Sequence, residues 1–130
     1  MMYPQELLYT KDHEWIRVDG NTASIGITEH AQKELGDIVF VELPPAGTHV
    51  AAKESLGTVE SVKAVADVYS PVTGDVISVN PKIQRAPELV NTDPHGEGWL
   101  VQVRLRDRSE TEALMSSEEY EAYVASGAGH

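Results

Sequence analysis

The sequence predicts a mainly β fold with one short internal helix and helices at its C-terminus. Two observations carry that expectation. Between residues 14 and 105 several segments alternate apolar and polar residues and are separated by turn residues, the period-two signature of strands. Beyond residue 107 the spacing changes to that of helices. A chain of 130 residues can bury one core but not two substantial ones. One domain over 1–130 is therefore expected, with its core over 8–124 and a frayed tail over 125–130.

Taken in order, residues 14–28 read as a hairpin. Ile16 and Val18 alternate with polar neighbours, Asp19-Gly20-Asn21 supplies the turn, and Ala23, Ile25 and Ile27 alternate on the return. Thr28 is placed to cap a short helix that runs through Leu35, and Gly36 to end it in the left-handed conformation. Ile38-Val39-Phe40-Val41 resumes the β signal, and Pro44-Pro45 ends it.

The stretch from Gly36 to Leu43 is echoed from Gly74 to Pro81, which suggests two related β units around a central hairpin. That hairpin spans 58–69. It lacks Gly and Pro near its middle, yet β patterns run inward from both sides and put Lys63 at or near the tip. Residues 91–98 read as a loop and 99–105 as the last strand. Two short helices follow, the first from Ser109 or Glu110 to Leu114. The second is Ser117 to Ala125, capped by Ser116 or Ser117, with Tyr120, Tyr123 and Val124 on one stripe.

Composition excludes several functions. The formal charge of −11 opposes binding to a phosphate backbone, where Lys and Arg must displace counterions. It favours a monomer and partners with basic docking faces. There is no cysteine for a disulfide, a thiolate metal site or a nucleophile, so redox chemistry must come from an attached group. No apolar run is long enough for a membrane helix, and the first residues do not read as a signal or transit peptide, so a cytoplasmic location is expected. The five histidines lack metal-ligand spacing. Gly96-Glu97-Gly98 precedes a strand and lacks the Lys-Ser/Thr pair of a phosphate loop. No catalytic triad stands out.

Lys63 is the candidate for chemistry. Val62, Ala64, Val65 and Ala66 are small or apolar, an unusual setting for an exposed tip and a suitable one for an enzyme that must admit a single amine. A Schiff-base role needs a depressed amine pKa, and the flanking Glu60 and Asp67 act in the opposite sense. Acylation by an enzyme supplying an activated acid does not need one.

Glu60-Ser61-Val62-Lys63-Ala64 resembles a lipoylation motif, and the chain from about residue 8 to 123 resembles the glycine cleavage H-protein family. His13-Glu14-Trp15, Gly26-Ile27-Thr28, Ala31-Gln32, the stretch from Leu35 to Pro44, Ser70-Pro71-Val72-Thr73-Gly74, Pro87-Glu88-Leu89-Val90-Asn91 and Gly96-Glu97-Gly98-Trp99-Leu100 carry that resemblance. It implies a barrel-sandwich hybrid of the lipoyl and biotinyl kind, with lipoic acid joined by an amide to Lys63. It also implies a non-catalytic shuttle that takes an aminomethyl intermediate from glycine decarboxylase (P protein) to aminomethyltransferase (T protein). Dihydrolipoamide dehydrogenase (L protein) then reoxidises the dithiol, and lipoate-attaching enzymes load the lysine. By the same resemblance Glu14, Glu34 on the short helix and Asp67 line a cleft for the cationic cargo. Glu34 is a departure, since some relatives carry histidine there. The alternative is an H-like protein that relays lipoate to other enzymes. Biotin carriers, which usually place Met beside the lysine, match less well.

Overall fold

The computed structural model describes residues 3–127. Two antiparallel sheets face each other across one core. The larger sheet takes six strands: β1 (Leu8–Tyr9), β2 (Glu14–Asp19), β3 (Thr22–Ile27), β5 (His49–Val50), β8 (Gly74–Val79) and β9 (Val101–Leu105), in the order β1-β2-β3-β9-β8-β5. The smaller sheet is β4 (Ile38–Glu42), β6 (Ser55–Ser61) and β7 (Val65–Tyr69), with β6 in the middle. Ile16, Ile25, Val76 and Val103 of the first sheet meet Val41, Val59 and Val68 of the second, all nearly fully buried.

The hairpin of β2 and β3 forms where expected. Asp19 pairs with Thr22 across a two-residue turn, and Gly20, at φ 64°, supplies the positive φ its first central position requires. Ile16 and Val18 alternate with exposed Arg17 and Asp19 as expected, while before them Glu14 and Trp15 are both buried. The sheet is covered here on both faces. Ile16 faces the main core, while Trp15 enters a second cluster with Tyr3, Leu7, Tyr9 and Tyr120. The Trp15 ring fills the space a side chain at position 26 would need, since a β-carbon on Gly26 would lie 2.6 Å from it.

Helix α1 (Glu29–Leu35) begins at Thr28, whose hydroxyl accepts from the Ala31 amide as expected of an N-cap. It ends at Gly36 with φ 82° and ψ −158°. That is not the left-handed helical well anticipated but an extended region open essentially to glycine alone, and it turns the chain at once into β4. The two echoed segments lie in different sheets, β4 in the smaller and β8 in the larger.

Helices α2 (Pro81–Arg85) and α3 (Leu89–Thr92) occupy a stretch in which no helix was anticipated, and α3 takes the first two residues of the expected 91–98 loop. Asn80 caps α2 and Pro81 takes its first position, where a missing N–H costs nothing. The last strand starts at Val101, not at residue 99, and a 3₁₀ turn (Arg108–Ala113) replaces the first tail helix.

The final helix, α4 (Ser117–Ala125), is capped by Ser116, which forms a capping box with Glu119. Ser126 and Gly127 continue its hydrogen bonding, with their amides on the Ala122 and Val124 carbonyls. The rest of the expected frayed tail, residues 128–130, lies outside the described residues. The helix presents Tyr120 inward, fully buried and stacked on Tyr9 at 4.7 Å. The Tyr120 hydroxyl bonds Thr28 Oγ1 at 2.8 Å and His13 Nδ1 at 2.7 Å. The C-terminal helix thereby fixes both the start of α1 and the turn that precedes β2. Replacing Tyr120 with Phe keeps the packing but strands those partners. We expect a stability loss of about 1–3 kcal/mol, read from urea unfolding, with little change in the slope.

Candidate functional site

β6 and β7 pair from Ser55 to the tip, with Glu60 opposite Val65. The Ser61 amide then donates to the Ala64 carbonyl at 2.8 Å, which leaves Val62 and Lys63 as a two-residue apex. Neither has a positive φ, which explains how this turn forms without glycine. Ser61, itself buried, accepts at its hydroxyl from the Lys63 and Ala64 amides at 3.3 and 3.1 Å. The Val62 amide donates to the Asp37 carbonyl at 3.0 Å and ties the tip to the chain leaving α1.

Asn91 fixes that chain. Its Nδ2 donates to Gln32 Oε1 and to the Gly36 carbonyl, both at 2.9 Å, and its Oδ1 accepts from the Ile38 amide at 2.8 Å. Lys63 is exposed, and its stem passes close to Gly36, where a β-carbon would lie 3.6 Å from Lys63 Cε.

Beside this end of α1 lies a cleft of about 350 Å³. Ile27, Ala31, Leu35, Val59 and Val68 give it apolar walls, and its carboxylates are Asp12, Glu14, Glu34 and Asp67. The structure thus brings the three acidic residues singled out in the sequence around one cavity, in different settings. Glu34 is exposed on the rim, 3.6 Å from His30 Nε2. Asp67 is exposed on β7, where it accepts from the Ser55 hydroxyl at 3.3 Å. Glu14 is only 2% exposed and does not sit on a solvated face. Its Oε2 accepts from the Tyr69 amide at 2.9 Å and its Oε1 from the Thr10 hydroxyl at 2.8 Å. Burial outweighs both bonds and pushes the Glu14 carboxyl up from 4.5 to about 7.

Thr10, His13 and the Tyr69 amide were not picked out in the sequence, although His13 lines the cleft and the other two hold Glu14. His13 takes φ 68°, and its one signal in the sequence is its place beside Glu14 in the His13-Glu14-Trp15 stretch.

Among the described residues no group of three His, Cys, Asp or Glu side chains is arranged to hold a metal ion. None of their helices is long and apolar enough to cross a membrane. A two-sheet domain that raises one lysine on a braced hairpin, next to an apolar cleft with a buried carboxyl, has the build of a carrier for a tethered group.

Comparison with known proteins gives the family. Residues 7–127 match the family model of the glycine cleavage H-protein. The glycine cleavage system H protein of Halothermothrix orenii is 56% identical over 124 residues, covering 95% of this chain and 97% of that one. That of Rubrobacter xylanophilus is 59% identical over 117 residues, 90% of each chain. The crystal structure of the H protein from Mycobacterium marinum superposes with a TM-score of 0.87 at 38% identity, covering 95% of this chain and 99% of that one. The chain belongs to the glycine cleavage H-protein family. It is a lipoyl carrier of the glycine cleavage system and not one of its catalysts.

The raised Glu14 pKa has a measurable consequence. The folded protein holds this proton more tightly than the unfolded chain, so the contribution is fully present below pH 4.5 and is lost as pH rises toward about 7. His95, which burial lowers, slopes in the opposite sense at neighbouring pH, so the readout is the difference between variants. Urea unfolding from pH 4.5 to 8 should show Glu14→Gln removing a decline on the order of 2–3 kcal/mol that the parent protein keeps. Parallel curves would mean that Glu14 titrates like a solvated carboxyl.

Proposed function

We propose that this cytoplasmic shuttle carries its lipoyl group on Lys63, presented by Glu60, Ser61, Val62 and Ala64, and shelters its cargo in the cleft of Glu14, Glu34 and Asp67. The observation that carries the reading is the pairing of an exposed apex lysine with an apolar cavity that holds one buried carboxyl. When bound, the lipoyl group supplies the disulfide and dithiol chemistry that takes up an aminomethyl unit at the P protein, yields it at the T protein and is reoxidised at the L protein.

The residues present suit that group. Lys63 Nζ offers the amine for the amide. Ile27, Ala31, Leu35, Val59 and Val68 can cover an alkyl chain and keep water from its end. A long arm also raises the effective concentration of one cargo at several active sites in turn.

Glu14 supplies the polar contact. A cationic amine brought beside it favours the carboxylate, so binding of cargo drives off the proton that burial retains in the empty cleft. The resulting charge-assisted bond in a sheltered site is worth roughly 1.5–3 kcal/mol. Glu34 and Asp67, being exposed, add a screened attraction at the rim.

Peptide mapping after expression in a lipoylating host should find the modification on Lys63 alone. Lys63→Arg should remove it, abolish the shuttle in a reconstituted glycine cleavage assay and leave stability within about 0.5 kcal/mol. Modification that persists in Lys63→Arg, or maps to Lys53 or Lys82, overturns the assignment.

A further inference from the structure

Five large apolar side chains are exposed among the described residues, and all but Tyr69, at the far end of β7, lie near the Lys63 end of the smaller sheet. Val39 is 48% exposed, Phe40 52%, Val62 71% and Val65 65%. Strand register sets them together. Phe40 pairs with Glu60 and Glu60 with Val65, so these three side chains stand in one row on the outer face of the smaller sheet. Val62 projects from the apex, and Val39 sits at the irregularity between Ile38 and Phe40. The next row on the same face is Glu42, Thr58 and Asp67. No Lys or Arg occurs on β4, β6 or β7. Single exposed apolar residues need no explanation, but a contiguous group at a functional lysine does.

We propose that Val39, Phe40, Val62 and Val65 form a docking collar for the enzyme that acylates Lys63, a partner with an apolar surface around its amine channel and basic residues placed against Glu60 and Glu42. The proposal rests on the reading of Lys63 as the lipoylated residue. Reach selects this occupant. The amide forms at Nζ, one lysine side chain from the backbone: the neutral amine attacks the acyl carbon of a lipoyl-adenylate, a C–N bond forms, the C–O bond to adenylate breaks, and the amine proton passes to a base. An enzyme doing this must lie directly on the residues around the tip. Enzymes that act at the far end of the finished arm need not.

A second copy of this chain is the other conceivable occupant, because β4 is an edge strand. Such a pair would bury the acceptor lysine and bring two acidic faces together in a molecule of net charge −11.

The test uses a purified ligase that works through lipoyl-adenylate, with the unmodified protein as substrate and intact mass as the readout. Phe40→Ser with Val65→Thr should lower kcat/KM by at least about tenfold, chiefly through KM, as loss of apolar anchors does. Phe40→Leu with Val65→Ile should restore it to within about threefold of the parent, since the apolar surface is kept. Both pairs should unfold at the parent's urea midpoint. Once loaded by long incubation, the Ser/Thr pair should be reduced by dihydrolipoamide dehydrogenase within about twofold of the parent rate.

Lipoylation of the Ser/Thr pair at the parent rate overturns the collar. So does an equal defect with the dehydrogenase, which would make the patch a general docking face, or sedimentation of the parent as a dimer that the pair dissolves. A parent protein left unmodified at Lys63 removes the assignment of the lysine itself, a different failure.

Discussion

The side-chain amide of Asn91 bonds three points on the path from α1 into β4: Gln32 on the helix, the Gly36 carbonyl at its end, and the Ile38 amide that opens β4. Between the last two lies Asp37, whose carbonyl receives the Val62 amide at the hairpin apex. The Lys63 apex is therefore referenced to the helix that walls the cleft. With the proposed lipoyl group on Lys63, a fixed apex is what would let the arm search several partners and still return to one cavity. Ser61 braces that apex from inside the turn by holding the amides of Lys63 and Ala64.

A second constraint comes from the far end of the chain. Tyr120, buried and stacked on Tyr9, links its hydroxyl to Thr28 and His13 and so clamps the start of α1 and the entry to β2. Both segments line the cleft, His13 and Glu14 from one and Ala31, Glu34 and Leu35 from the other. Within that frame Glu14 is kept where an ionised carboxyl is unfavourable, and two hydrogen bonds only partly offset the burial. The molecule gives up some stability near neutral pH, which cationic cargo in the cleft, as proposed, would recover.

Local signals in the sequence were good guides wherever one face of a strand or one turn decided the outcome. Gly20 in its hairpin, Thr28 as a cap and Lys63 at the apex each follow from neighbours in the chain. Glu14 did not, because it is held by the Tyr69 amide, 55 positions along the chain, and faces a cleft walled by Ile27, Val59 and Val68. Helices α2 and α3 carried only Asn80-Pro81 as a start signal, and five- and four-residue helices show no full period. His13 and Asn91 act through long-range bonds that no spacing reveals, whereas Thr10 acts locally, on Asp12 and Glu14. The family resemblance marked Asn91 as part of a recognisable stretch, and the structure supplies what that residue does.

If the Glu14 cleft shelters cargo on the arm, the rate at which cargo-loaded protein spontaneously releases formaldehyde and ammonia should show it. The comparison is between the parent, Glu14→Gln, and Glu118→Gln as a control for net charge, since Glu118 is exposed on α4 while Glu119 belongs to the capping box. At neutral pH release should quicken by at least about tenfold in Glu14→Gln, as loss of a sheltered charge-assisted bond implies, and stay at the parent rate in Glu118→Gln. Equal rates in all three proteins would contradict that sheltering.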